Sequence, residues 1–112
     1  MVFSRTGELE LMTIYKYNVP GIYDISLIEV LTAQIQNGKI VVWCIVNEEE
    51  NAEKAKYVFD YCGTGHNIDK ELGKYIDTVQ EENTGYVWHI FYEKIKDGKK
   101  DEITKREYES QS

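Results

Sequence analysis

Ile28-Glu29-Val30-Leu31-Thr32-Ala33-Gln34-Ile35-Gln36, then Asn37-Gly38, then Lys39-Ile40-Val41-Val42-Trp43-Cys44-Ile45-Val46-Asn47: this stretch decides the fold. Asn-Gly between two β-rich runs is the strongest short-range hairpin signal, because both residues of a two-residue turn must tolerate positive φ. The expected order is a strand over 28–36, a turn, and a strand over 39–47. Residues 40–46 are apolar at every position. A strand apolar on both faces belongs at the centre of a sheet, covered on both sides. A barrel, a sandwich or a tight oligomer supplies that cover. Simple alternation in the first strand puts Glu29, Leu31, Ala33 and Ile35 on one face. Ile28, Val30, Thr32, Gln34 and Gln36 fall on the other, which changes from apolar to Thr-Gln-Gln. Such a face runs from core either into a wet cleft or interface, or onto an exposed strand end.

Period-two alternation recurs on both sides of this hairpin. Strands are expected over 11–18, 22–26, 56–62, 75–80 and 86–93. Pro20-Gly21 reads as a turn, 48–54 as a solvated loop or a single helical turn, and 81–85 as another turn. The fold class is therefore mainly β: a compact antiparallel sheet or partly open barrel of five to seven strands, with little helix. One β domain is expected over 11–93. Residues 1–10 form an N-terminal extension, and 94–112 a charged tail or short helix with a turn at Asp97-Gly98.

At 112 residues the chain has room for one domain, and 42% hydrophobic content is enough for a core. No apolar run approaches the ~20 residues that span a bilayer. The first residues do not read as a signal peptide, so a cytoplasmic location is expected. Cys44 and Cys62 form no CxxC pair and sit in apolar strands. They read as free structural thiols, with no disulfide and no metal site. Net charge is −7, and residues 93–112 balance at six basic and six acidic side chains. The excess lies in residues 1–92, with seven basic against fourteen acidic. A long nucleic acid or an anionic membrane would be repelled. A small anion needs only a few local donors and remains compatible, although acidity also serves plain solubility.

Two short strings carry candidate chemistry: Gly63-Thr64-Gly65-His66 and Tyr86-Val87-Trp88-His89-Ile90-Phe91. The first is neither a P-loop nor GxGxxG. Its glycines allow either a nest of converging N–H groups or a plain positive-φ turn. Thr64 adds a hydroxyl and His66 an imidazole. In the second string Trp88 and His89 alternate, so only one faces the core. Tryptophan is the more usual core residue, which leaves His89 to the surface, a cleft or a subunit contact. Tyr15 and Tyr17 share one face of the first strand with Lys16 on the other, and Trp43 sits in the central strand. Aromatics beside a cation suit base stacking, at ~1–3 kcal/mol per base, and equally suit core packing. No HxxxH, HExxH or DxD spacing occurs, and no serine or cysteine has a nucleophile's context. A binding protein, not an enzyme, is expected, with no cofactor.

These residues also carry a resemblance. Ile14-Tyr15-Lys16-Tyr17, Gln34-Ile35-Gln36-Asn37-Gly38, Val42-Trp43, Gly63-Thr64-Gly65-His66, Tyr75-Ile76-Asp77-Thr78 and Val87-Trp88-His89-Ile90-Phe91 resemble a family of small phage and prophage proteins over about residues 12–92. The chain departs from that pattern at Asp77, where glycine is common. It is also similar to phage anti-CBASS sponges, which sequester a cyclic dinucleotide without cutting it. That resemblance implies a homo-oligomer, a dimer or tetramer, with sites near subunit contacts and 3′3′-cGAMP as leading ligand. The candidate ligand site, assembled from phosphate donors and stacking aromatics, combines Gly63, Thr64, Gly65, His66, Trp88, His89, Tyr15, Lys16, Tyr17, Trp43 and Thr78. The alternative is a protein-binding inhibitor of a host defence or regulatory factor, since an acidic surface and two-faced apolar strands can dock a partner.

Overall fold

A computed structural model describes residues 11–68 and 71–95. The expected N-terminal extension and nearly all of the charged tail lie outside these. Seven strands follow in order: β1 Met12–Val19, β2 Gly21–Ile25, β3 Leu27–Gln36, β4 Lys39–Asn47, β5 Ala55–Gly63, β6 Lys74–Gln80 and β7 Val87–Lys94. There is no helix among the described residues. β1, β4 and β3 form one sheet, in the order β1-β4-β3, and the other runs β2-β5-β7-β6. Every strand pair is antiparallel.

The hairpin forms as its turn chemistry dictates. Asn37 has φ 53° and Gly38 φ 78°, the double positive φ of a type I′ turn. β4 is the central strand of its sheet. Val42, Cys44 and Val46 face the core. On the outer face Val41 is buried, but Trp43 and Ile45 are only half-buried, so cover on that side is partial. The Lys16 ammonium donates to Gln36 Oε1 at 2.6 Å, bridging β1 to β3 across β4. Their β4 partners are Trp43 and Lys39, and Val41 lies midway between these.

Simple alternation fails in β3. The register slips between Leu27 and Glu29 and again between Val30 and Thr32. Each bulge adds a residue, so the core-facing series becomes Leu27, Val30, Ala33. Val30 therefore joins the core, not the Thr-Gln-Gln face, and Leu31 is exposed on the side away from Ala33.

The two sheets pack face to face. Phe59 and Ile90 from one meet Val42, Cys44 and Ala33 from the other. Phe59 is ringed by Tyr17, Tyr23 and Tyr92, with centroids 5.9–6.2 Å away. The chain changes sheets at Pro20 and at Ser26, so β2 crosses on the second sheet between the two outer strands of the first. At the other margin β3 and β6 approach one another, and the Asp77 carboxylate joins them. Its Oδ2 accepts from the Thr32 hydroxyl at 2.8 Å and the Ala33 amide at 3.3 Å. The result is a partly open structure, not a closed barrel. Both cysteines are free thiols. Burial pushes the Cys44 thiol up to about 12.

Candidate functional site

β5 ends at Gly63 beside Trp88 of β7, and Cys62 lies opposite His89. The chain then turns tightly. His66 N–H donates to Gly63 O at 3.1 Å, and Gly65 carries the positive φ, 86°. Thr64 N–H donates to Val87 O at 3.1 Å, one step beyond the ladder. The amides of Thr64 and His66 are thus spent inside the fold, so of the two alternatives the loop takes the tight positive-φ turn, without a nest from these amides. Gly63 leaves room for the His66 ring. A Cβ there would sit 2.7 Å from His66 Cε1 and 3.0 Å from Trp88 Cζ3. The imidazole lies across the bare backbone, edge-on to the indole at 6.0 Å.

The Trp88 indole is the hub of this region. It faces the core side of β7 and meets Tyr61 at 5.1 Å and Tyr86 at 6.0 Å, both edge-to-face. Its Nε1–H donates to Glu81 Oε1 at 2.8 Å. Glu81 is held by its own backbone: Glu81 N–H donates to Tyr86 O and Gly85 N–H to Glu81 O, both at 2.9 Å. Trp88, Tyr61 and Glu81 line one side of a cleft of about 400 Å3 at the hairpin end of the molecule. Val19, Pro20, Ile40 and Lys39 also line it. That volume lies in the range of small-molecule sites.

His89 points the other way, onto the outer face of its sheet. Its Nε2 is 2.7 Å from Thr64 Oγ1, and its Nδ1 is 3.1 Å from Thr78 Oγ1. Thr78 Oγ1 is in turn 2.7 Å from the Tyr75 hydroxyl. A hydrogen-bonded chain Thr64–His89–Thr78–Tyr75 crosses three strands, and both imidazole nitrogens are engaged.

The structure therefore brings together Gly63, Thr64, Gly65, His66, Trp88, His89 and Thr78, divided between two faces of one sheet. It does not bring in the others. Tyr17 is a core ring, 4.8 Å from Tyr23. Tyr15 lies beside it at 6.4 Å, and a hydrogen bond to Glu48 raises its phenol above the usual range. Lys16 and Trp43 pair across β1 and β4 on the outer face of the first sheet. Two sheets separate them from His89. Residue alternation fixes this: Lys16 lies on the opposite face from Tyr15 and Tyr17, whose β4 partners Cys44 and Val42 are core residues. Lys39, Tyr61 and Glu81 were not legible as cleft residues. Only the turn signals at Gly38 and at 81–85 mark where strand ends gather.

A second cleft, of about 670 Å3, lies at the opposite end near Tyr57 and Tyr92. Glu29, Glu71 and Glu93 outnumber Lys74 and Lys94 there, a poor setting for an anion. Among the described residues, no group of three or more His, Cys, Asp or Glu side chains is placed to hold a metal ion. No helix among them is long and apolar enough to cross a membrane.

Fold and site together define a small two-sheet antiparallel β protein with an aromatic cleft at its hairpin end. The chain belongs to the family described as Domain of unknown function (DUF7352), which matches residues 12–100 and so takes in all seven strands. No curated protein and no solved structure matches it.

Proposed function

We propose that this protein binds and sequesters a small anionic nucleotide in the Trp88 cleft and releases it uncut. A cyclic dinucleotide signal is the favoured class, with 3′3′-cGAMP the leading candidate. The setting is a phage immune-evasion role in the host cytoplasm. One observation carries the reading: the half-buried indole of Trp88 stands in the cleft wall with Tyr61 beside it and Lys39 on the same cleft, while His66 meets the indole edge-on from outside the cleft lining. An aromatic plane suits a purine, and an ammonium with an imidazole suits a phosphate. The reading includes self-association into a dimer or tetramer, which would cover exposed apolar residues such as Ile14 and Leu31. Those same side chains favour the second reading, a protein-docking inhibitor.

Thermal-shift screening against cyclic and linear nucleotides tests it. A ligand at 100 times its Kd adds about 2.7 kcal/mol of apparent stability, about 10–20 °C in Tm for a domain this size. His66→Ala should weaken binding by ~1–3 kcal/mol if the imidazole meets a phosphate, and should leave the fold intact because the side chain is exposed. Ligand recovered after heat denaturation should be chemically unchanged. If no nucleotide raises Tm, the docking reading takes first place.

A further inference from the structure

We propose that Glu81 reads the base in this cleft and makes it selective for guanine over adenine. The inference rests on the nucleotide reading above and adds the specificity to it. Glu81 Oε1 is taken by the Trp88 indole N–H at 2.8 Å, which pins the carboxylate to the edge of the aromatic wall. The turn hydrogen bonds at Glu81 N–H and Gly85 N–H fix its backbone as well. The side chain is half-buried and lines the cleft. Oε2 has no hydrogen-bond partner among the described residues. Lys39 lines the same cleft, and no ion pair joins it to Glu81 among those residues.

The cleft therefore holds one unspent acceptor and one unspent cation beside an aromatic plane. The complementary ligand has a flat body, a donor edge and an anion. Guanine offers two adjacent donors, N1–H and the N2 amino group, on its Watson–Crick edge. Oε2 accepts from one, and the second lone pair of Oε1, beside the indole N–H, accepts from the other. Adenine presents an N1 lone pair at the corresponding place, which repels a carboxylate. A ribose phosphate attached to the base supplies the anion for Lys39. A fixed acceptor that loses its donor partner is left desolvated, so discrimination against the base lacking that donor is expected to be strong.

Calorimetric titration of the full chain with 3′3′-c-di-GMP, 3′3′-cGAMP and 3′3′-c-di-AMP tests the proposal. The two guanine-containing ligands should bind at least ~10-fold more tightly than c-di-AMP, the scale set by leaving one acceptor unsatisfied. Glu81→Gln keeps an acceptor for the indole but presents an amide to the base. It should bring all three ligands within ~3-fold of one another, mainly by weakening the guanine ligands. Lys39→Ala should weaken all three together and keep the preference. Should Glu81→Gln fail to fold, cyclic di-IMP, which keeps N1–H but lacks the N2 amino group, removes one of the two donors on the ligand side and should bind the parent ~10-fold more weakly than c-di-GMP. Equal affinity of the parent for all three ligands, or a preference that survives Glu81→Gln, overturns the assignment of Glu81 and leaves the cleft reading standing. A parent that binds none of them overturns both.

Discussion

Phe59→Ala is expected to be the most destabilising single truncation in this domain. Phe59 is fully buried and is the largest side chain that is. Three tyrosine rings surround it, from β1, β2 and β7, so it touches both sheets and the crossing strand at once. Removing the ring loses its transfer free energy and leaves a cavity that two hydrogen-bonded sheets cannot easily close. The expected cost is about 3–5 kcal/mol, against about 5–15 kcal/mol for a whole domain. A thermal melt followed by circular dichroism should show Tm lower by roughly 12–40 °C. A fall of under ~5 °C would mean that the ring is not the centre of the core.

The fold was legible because its decisive signals are local. Asn37-Gly38 needs no tertiary partner to specify a type I′ turn, and the run over 40–46 announces a central strand by composition. The bulges in β3 were hidden for the opposite reason. Val30 and Leu31 are both apolar, and only the pairing with Cys44 and Trp43 decides which of them turns inward. The site divided along the same line. Gly63, His66 and Trp88 are close in space because β5 and β7 pair, and both strings were conspicuous. Glu81 and Lys39 were not, since a Glu in an acidic turn and a Lys after a hairpin are ordinary solvated residues until the sheets stack. Lys16 and Trp43 were drawn in by residue type, and the sheet assignment of β1 and β4 removes them. Their shared face is instead a strip where a lysine stem and a glutamine cross an apolar strand, which is packing chemistry more than recognition.

The margin where the two sheets meet gives a second large effect, at Asp77. Bulging at Ile76 sets Asp77 opposite Ile90, on the inner side of β6. From there its carboxylate accepts from Thr32, Ala33 and its neighbour Thr78. The Ala33 amide belongs to the outer strand of its sheet, where an unpaired donor is both a cost and an invitation to edge pairing. Partial burial pushes the Asp77 carboxyl up, but the three hydrogen bonds outweigh it and hold the group below the usual carboxylate range. A depressed folded-state value means that the charged form is the stabilising one. The contribution is present above the unfolded value of about 3.9 and is lost as pH falls through the folded value. Asp77→Asn keeps the shape and one acceptor but loses the charge. At pH 7 it should cost about 1–2 kcal/mol, at the lower end for charged hydrogen bonds because the site is partly open to water. The gap between parent and variant should then close on acidification below pH ~4. Every other carboxylate is common to the two proteins, so urea melts of both at several pH values isolate Asp77 in the difference. A gap that stays constant from neutral pH to pH ~3 would show that the carboxylate holds the sheets by shape alone.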